Sequence, residues 1–326
     1  MTQKINVLVW NINLRTSNES LPEVTKNTLI QHSIEPSNIN EDNYKADIII
    51  LVEAHNSHSK KCEKGAGRIK TIKDALPHYS FENYDGFRQK HDNLYSDGGS
   101  DGGLPLGLGI LIGYSNKMFK DVTLISCPYK NGKSQLLANI NDNPYRYPDF
   151  LITTATLISE KTPNKDKKIC VSGIHIKHGK KKNSGFKAAQ ISKQLDFIKQ
   201  QLQTVIFNNI DIPVILAGDF NIHAKKYDSH LPKESKWYNL LKLTNDLNST
   251  IYPKSADEPK PTFRNSKGIK TAVDYIISSL NPSDDIQVDW NFTDGTKVDQ
   301  NFTDAPPYSY DPPNPDHAIL KMSFYI

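Results

Sequence analysis

A short apolar run that ends in an acidic turn is the feature that most constrains this chain. Residues 213–217, Pro-Val-Ile-Leu-Ala, have the length and composition of a buried strand. Gly218 then permits a tight turn, and Asp219 and Asn221 follow two residues apart. If the strand geometry persists, both side chains project from one face, where a metal-assisted hydrolase would hold and orient a water. A turn that only closes the strand is the alternative.

Length and composition indicate a globular protein with a large core. The chain has 326 residues, of which 37% are hydrophobic and 23% charged, and we expect one domain over residues 1–326. No apolar run approaches the roughly 20 residues of a membrane span, and the first ten residues do not resemble a signal peptide. We therefore expect no integral membrane segment and a cytoplasmic location by default, with signal-independent secretion as the alternative. We also expect a monomer. The net charge of +4 permits a polyanionic partner without requiring one.

Strands dominate the hydrophobic pattern, with a few helices between them. Strands are predicted over residues 5–10, 46–52, 79–87, 106–114, 122–126, 136–140, 150–158, 169–176, 213–217, 271–278 and 318–325. Helices are predicted over residues 60–76, 184–207 and 235–243, while residues 19–31 look helical or loop-like. The Gly-rich residues 88–103 and the Pro-rich residues 295–315 are predicted to be mobile or substrate-facing loops. No linker-like boundary interrupts the pattern, which favours two packed sheets with outer helices.

Polar residues recur where the predicted strands end. Taken singly, each is more often a turn residue, a structural histidine or a buried hydrogen-bond anchor than a functional group. Together they supply oxygen ligands for a hard cation, two imidazoles, and a carboxylate that can orient one imidazole. The strand-end residues are Asn11, Glu53, His175, Asp219, Asn221, Asp316 and His317, and Asp274 adds a carboxylate inside the predicted strand at residues 271–278.

The order of these motifs resembles the endonuclease/exonuclease/phosphatase superfamily, typified by deoxyribonuclease I, exonuclease III and the neutral sphingomyelinases. Residues 218–221, Gly-Asp-Phe-Asn, match its most recognisable tetrapeptide. Two departures occur: Val52 stands where Gln is usual, and Pro315 replaces the Ser of a Ser-Asp-His motif. The other matching motifs span almost the whole chain in the family's order, at residues 8–13, 47–53, 173–175, 262–263, 273–276 and 315–317.

The resemblance implies an α+β fold, the four-layer α/β/β/α sandwich of the DNase I type, with a metal site where the strand ends of two sheets meet. Glu53 would be the main ligand of Mg²⁺, for which Mn²⁺ could substitute. Asn11, Asn13 and Asp316 would lie near the same ion.

The resemblance also implies roles for the remaining site residues. Asp219 would activate or position the attacking water, and Asn221 would orient that water. His175, together with His317 held by Asp274, would contact the phosphate and stabilise its developing charge.

The sequence leaves the identity of the phosphoester open. His175 stands where apurinic-site endonucleases have Tyr, and the residues before Gly218 and Asp274 do not fit the inositol-phosphatase pattern. The long apolar hairpin or membrane segment of the sphingomyelinases is also missing from the sequence. Nuclease action on DNA or RNA is the first hypothesis, and hydrolysis of a phospholipid or another small phosphoester is the second. A catalytically inactive binding module is the third, although such a module should have lost Glu53, Asp219 or His317.

Basic residues supply the candidate substrate contacts. Two Lys-rich stretches, at residues 60–73 and 177–187, follow site residues in the sequence. They predict an electrostatic track for a nucleic-acid backbone, with a solvated Lys-rich face as the alternative. The residues assigned to substrate binding are Lys180, Lys181, Lys182 and Thr262.

Overall fold

The structure is a computed structural model of the 326-residue chain. It describes residues 3–12, 21, 23–33, 45–54, 67–84, 109–130, 133–134, 148–158, 167–176, 184–208, 212–223, 235–253, 260–264, 270–290 and 317–326. The predicted strand at residues 136–140 and the predicted loops at 88–103 and 295–315 lie outside these ranges.

The described residues form helices and strands in the mixed order that the sequence predicts. The helices are α1 (Glu23–His32), α2 (Gly67–Ala75), α3 (Ser184–Asn208) and α4 (Lys236–Asp246). The longer strands, with the short strands between them, are β1 (Lys4–Asn11), β2 (Ile48–Val52), β3 (Tyr79–Tyr84), β4 (Ile110–Ser115), β5 (Phe119–Ser126), β6 (Tyr129–Lys130), β7 (Lys133–Ser134), β8 (Asp149–Leu157), β9 (Lys168–His175), β10 (Val214–Asp219), β11 (Thr250–Tyr252), β12 (Phe263–Arg264), β13 (Lys270–Thr271), β14 (Asp274–Ser278), β15 (Asn281–Pro282), β16 (Gln287–Asp289) and β17 (Ile319–Tyr325).

Two mixed sheets form the body of the protein. The first has the order β15-β17-β1-β2-β4-β3, with β16 also paired to β17, and the second has the order β11-β14-β10-β9-β8-β5. In each sheet two central strands run parallel, β1 with β2 and β9 with β10, and the neighbours of these pairs run antiparallel to them. As a result, the carboxyl ends of the parallel strands lie beside the starts of β8, β14 and β17.

Alternating side chains divide the apolar core into three clusters. On β1, Val7 and Val9 face the second sheet, whereas Leu8 and Trp10 face α1 and α2 on the outside. The outer face of the second sheet packs against α3 and α4 through residues such as Ile198. The prediction of an α+β fold with four layers, α/β/β/α, is therefore confirmed.

The predicted strand over residues 271–278 is wrong in its extent. Residues 271–278 are not continuous, because β13 ends at Thr271 and β14 begins at Asp274. The break has a local cause: the backbone N–H groups of Val273 and Asp274 both donate to the side-chain oxygen of Thr262, at 3.0 Å each. Asp274 therefore lies at the start of a strand, at the same edge as the other polar residues, instead of within the strand.

Candidate active site

The turn after β10 is shaped by a glycine with a left-handed backbone. Gly218 has φ of +141°, and a Cβ atom there would lie 2.1 Å from the carbonyl oxygen of Ile174 on the neighbouring strand. Only glycine fits this close approach, which lets Asp219 end the strand inside the protein, 2% exposed. Asn221 also adopts a positive φ, 51°, and its N–H donates to Asp219 Oδ1 at 2.8 Å. The predicted Asp-Phe-Asn turn therefore faces inward.

Two carboxylates from different sheets meet over one amide. The side-chain nitrogen of Asn11, at the end of β1, donates to Glu53 Oε1 and to Asp219 Oδ2, both at 3.1 Å. Glu53 directly follows β2 and has a positive φ of 56°, which is uncommon for a side chain of this size and typical of functional sites. All three residues are at most 2% exposed. The structure thus joins residues 208 positions apart in one polar cluster.

His317 and Asp274 form a buried pair. Nδ1 of His317 lies 2.8 Å from Asp274 Oδ2, and Nε2 on the opposite side of the ring lies 3.4 Å from the Asn11 amide nitrogen and 4.0 Å from Asp219 Oδ2. A carboxylate on Nδ1 fixes the ring tautomer and favours the charged form of the imidazole. The ring of Phe263 packs against that of His317, with 4.7 Å between centroids. The imidazole is therefore held so that Nε2 faces the carboxylates.

The second imidazole, His175, has a carboxylate behind it that the sequence interpretation did not single out. Asp149 is fully buried, and its Oδ2 lies 3.4 Å from His175 Nδ1, within ion-pair range but longer than an ordinary hydrogen bond. The other nitrogen, Nε2, lies 3.3 Å from the Asn221 amide nitrogen and 3.5 Å from Glu53 Oε1. Asp149 and His175 are register partners in the antiparallel pair of β8 and β9. The sequence did contain a signal for this contact. Antiparallel pairing of the strands predicted at residues 150–158 and 169–176 places the start of the first, next to Asp149, beside the end of the second, near His175.

The electrostatics of the site suit a divalent cation. Glu53, His175 and Asp219 each offer a ligand atom, and these three atoms lie within 4.8 Å of one another. Burial, and then the negative charge of Asp274, raise the pKa of Asp219 above its usual range. Crowded, buried carboxylates of this kind would be stabilised by a hard cation, for which oxygen atoms are the preferred ligands. A second group, Asp219, Asp274 and His317, meets the same distance limit, but there His317 and Asp274 are already bonded to each other.

Several residues predicted for the site lie outside the described ranges, or differ in placement from the expectation. Asn13, Asp316 and the lysines at 180–182 are outside the described residues. Thr262 is described, but it is fully buried and its hydroxyl oxygen accepts two backbone N–H groups. The Thr262 hydroxyl, which the sequence interpretation assigned to substrate binding, is therefore engaged by backbone groups in the structure.

Solved structures share this architecture at low sequence identity. The mannosyl-6-phosphatase Bt3783 of Bacteroides thetaiotaomicron aligns with a TM-score of 0.52 and 15% identity, covering 99% of each chain. The human Nocturnin catalytic domain, solved with a bound sulfate anion, gives a TM-score of 0.51 and 17% identity over 99% of this chain and 95% of the other. A humanized D. rerio TDP2 gives 0.51 and 14%, covering 98% of each chain. These likenesses show the fold.

A sequence profile supports the same relationship independently. The profile of the family described as endonuclease-reverse transcriptase matches residues 183–299, which include the Gly-Asp-Phe-Asn turn and Asp274. This match and the DNase I-like fold of the solved structures both support the resemblance to the endonuclease/exonuclease/phosphatase superfamily. No curated protein matches the chain by sequence. The profile match and the shared fold bear out the resemblance noted above, together with the DNase I-like form of the four-layer sandwich.

The resemblance to the endonuclease/exonuclease/phosphatase superfamily supports a hydrolase that cleaves a phosphoester with the help of a divalent metal. The superfamily includes enzymes with different phosphoester substrates, so the resemblance alone selects no substrate. Within the described residues, no helix combines the length and the apolar composition needed to cross a bilayer.

Proposed function

We propose that this protein is a Mg²⁺-dependent phosphodiesterase whose substrate is a nucleic acid. The observation that carries the proposal is the buried cluster in which Glu53, Asp219 and Asn11 from two sheets meet within hydrogen-bond distance. Burying such a cluster lowers the stability of the fold, because charged groups lose their hydration on burial. Its presence therefore points to a functional role. Two imidazoles border the same cluster.

The residues divide the chemistry between them. Glu53 would be the main ligand for Mg²⁺ or Mn²⁺, with Asn11 beside it, and we propose that Asn13 and Asp316 also lie near the ion. A bound divalent cation would supply charge stabilisation at the non-bridging oxygens of the scissile phosphate.

The remaining groups act on the water and the phosphate. Asp219 accepts a proton from the attacking water, and Asn221 orients that water through its amide. His317 and His175 donate hydrogen bonds to the phosphate oxygens as negative charge develops on them, and Asp274 favours the charged form of the His317 ring, in which Nε2 also carries a proton. Hydrolysis thus combines carboxylates and imidazoles that come from both sheets.

A panel of substrates with and without metal tests this function. Plasmid DNA, an RNA oligonucleotide, sphingomyelin vesicles and a small chromogenic phosphodiester would each be incubated with Mg²⁺, Mn²⁺ or EDTA. We expect cleavage of nucleic acid with either ion and none in EDTA. Cleavage of the lipid alone would establish the second hypothesis, and no cleavage of any substrate would favour the binding module. Full activity after rigorous removal of metal would refute the metal dependence.

Substitutions in the basic stretch after β9 test whether the substrate is a nucleic acid or a small phosphoester. If the lysines at 180–182 neutralise flanking phosphates, replacing all three with Ala should weaken DNA binding and flatten its salt dependence. Each lost phosphate contact lowers the slope of log K against log salt by about 0.9 on duplex DNA. Cleavage of the small diester should change little, because it has no flanking phosphates.

A matched triple substitution controls for the loss of net charge. Three exposed lysines lie at the end of β5, β8 and β9 farthest from His175, and replacing them should leave the salt slope unchanged: Lys120, Lys167 and Lys168. An unchanged slope in the 180–182 variant as well would identify that stretch as a solvated face.

A further inference from the structure

Thr262 joins the two chain segments that carry the buried Asp–His pair. Its hydroxyl oxygen accepts hydrogen bonds from the N–H groups of Val273 and Asp274, at 3.0 Å each. Its own N–H donates to the carbonyl of Thr271 at 3.0 Å, and its carbonyl accepts from the N–H of Ala318 at 2.8 Å. One residue is therefore bonded to the chain entering β14 and to the chain entering β17.

These two segments belong to different sheets, and each supplies one member of the pair. Asp274 starts β14 in the second sheet, and His317 directly precedes Ala318 and β17 in the first. Asp274 and His317 are 43 positions apart in the sequence, yet Asp274 Oδ2 and His317 Nδ1 are only 2.8 Å apart. The neighbour of Thr262 strengthens the link, because Phe263 forms a β-bridge with His317 and packs against its ring.

The Asp274 carboxylate depends on this backbone anchor for its orientation. Its Oδ2 contacts His317, whereas its Oδ1 is buried with no hydrogen-bond partner among the described residues. In the described part of the chain, the direction of the carboxylate is therefore set by the Asp274 backbone and by His317 alone. The hydroxyl of Thr262 fixes that backbone directly.

A substrate contact for the Thr262 hydroxyl does not fit these observations. The oxygen uses both acceptor positions on Val273 and Asp274, and the residue is 0% exposed. A valine would fill the same volume but could accept neither N–H group, leaving two buried donors unsatisfied.

We propose that Thr262 is a positioning residue that aligns Asp274 with His317 across the two sheets. The expected effect on catalysis rests on the proposed function. The expected effect on the hydrogen bond between Asp274 and His317 does not depend on which substrate the protein cleaves. The substitution that tests it is Thr262→Val, with Thr262→Ser as the variant that restores the hydroxyl. Thr262→Ala removes the same acceptor with less steric demand, and serves if the valine variant fails to fold.

A matched control comes from another buried threonine hydroxyl. Thr153 is also 0% exposed, and its hydroxyl bonds Tyr114 at 2.6 Å and the carbonyl of Val171 at 3.0 Å, in the core between the sheets. Thr153→Val removes a comparable buried network without touching the Asp–His pair. It therefore measures the general cost of losing such a hydroxyl.

The first readout is the His317 ring proton in the ¹⁵N-resolved NMR spectrum. A proton held between Nδ1 and Asp274 should resonate far downfield and exchange slowly in the wild type, and His317→Gln would assign it. We expect this signal to disappear or move upfield in the valine and alanine variants, return in the serine variant, and persist in Thr153→Val. An unchanged signal in a folded valine or alanine variant would overturn the proposal.

The second readout is turnover on the phosphoester identified by the substrate panel. Loss of a residue that orients a site group typically costs 10- to 100-fold, so we expect kcat to fall by about that factor while KM stays constant. The serine variant should recover most of the loss, and Thr153→Val should stay close to the wild type. A lost NMR signal with unchanged kcat would refute the positioning role. A wild type inactive on every substrate would instead refute the proposed function, with the NMR comparison still deciding whether Thr262 holds the pair.

Discussion

A buried carboxylate far from the candidate site, Asp47, makes the folding stability depend on pH in a way that can be calculated. It directly precedes β2, at the opposite end of that strand from Glu53, and is 6% exposed. Its Oδ2 accepts the N–H of Asn6 at 2.8 Å. Burial raises the pKa of Asp47 from 3.8 to about 6, although the Asn6 hydrogen bond and the charge of Lys117 act in the opposite direction.

The sign follows from the proton count in each state. Below pH 3.8 Asp47 is protonated in both the folded and the unfolded chain, and above pH 6 it is ionised in both. Between these values the folded state keeps the proton that the unfolded state has lost. The free energy of unfolding therefore falls as the pH rises through this range. At about 1.4 kcal/mol per pKa unit, the rise from 3.8 to about 6 corresponds to about 3 kcal/mol at neutral pH.

Asp47→Asn removes this penalty while retaining an oxygen that can accept the Asn6 N–H. We expect the variant to be more stable than the wild type at pH 7.5 by about 1–3 kcal/mol, the lower values reflecting the cost of burying an amide N–H₂ group. The same linkage lowers the gain by about 1.4 kcal/mol at pH 5 and by about 2.4 kcal/mol near pH 4, relative to pH 7.5. Only the pH dependence separates relief of a buried charge from improved packing.

Urea unfolding followed by circular dichroism at pH 7.5 and pH 5 measures both quantities. Asp285→Asn, at an exposed carboxylate, is the matched control and should change the free energy of unfolding by less than about 0.5 kcal/mol at either pH. A destabilised Asp47→Asn variant at pH 7.5, or a gain that is equal at both pH values, would refute the reasoning.

Two further predictions concern the site, both measured as kcat on the phosphoester that the substrate panel identifies. Asp219→Ala and His317→Ala should each lower kcat by at least ~10², because each removes a group that transfers a proton or stabilises charge, while the melting temperature changes little. Near-normal turnover in either variant would show that the roles are misassigned. Asp149→Asn should lower kcat by about 10- to 100-fold, because the His175 imidazole loses the carboxylate behind it. An unchanged kcat in a correctly folded Asp149→Asn protein would make that carboxylate a structural residue only.

The sequence predicted the strands around the site because their patterns are local. Apolar runs such as residues 5–10 and 213–217 have the length and flanking residues of a buried strand, and each is followed by a polar residue whose placement follows from where the run stops. The Gly-Asp-Phe-Asn motif was recognisable from the sequence alone, whereas the close approach of Gly218 to the Ile174 carbonyl appears only in the structure. The four-layer arrangement was read from the order of motifs and from the resemblance that they carry, and the structure confirms it.

The tertiary structure decided which of these residues act together, because sequence neighbours do not report contacts across sheets. Asn11 meets Asp219 only because the two sheets pack face to face, at a separation of 208 residues. Asp149 becomes the partner of His175 through antiparallel register, which the predicted strand boundaries, off by one residue, did not specify. Thr262 was assigned to substrate binding from the sequence, and only the structure shows that its hydroxyl is buried in long-range hydrogen bonds to the backbone. Hydrophobic periodicity is a local property of the chain, whereas partner choice depends on how the sheets are registered and stacked.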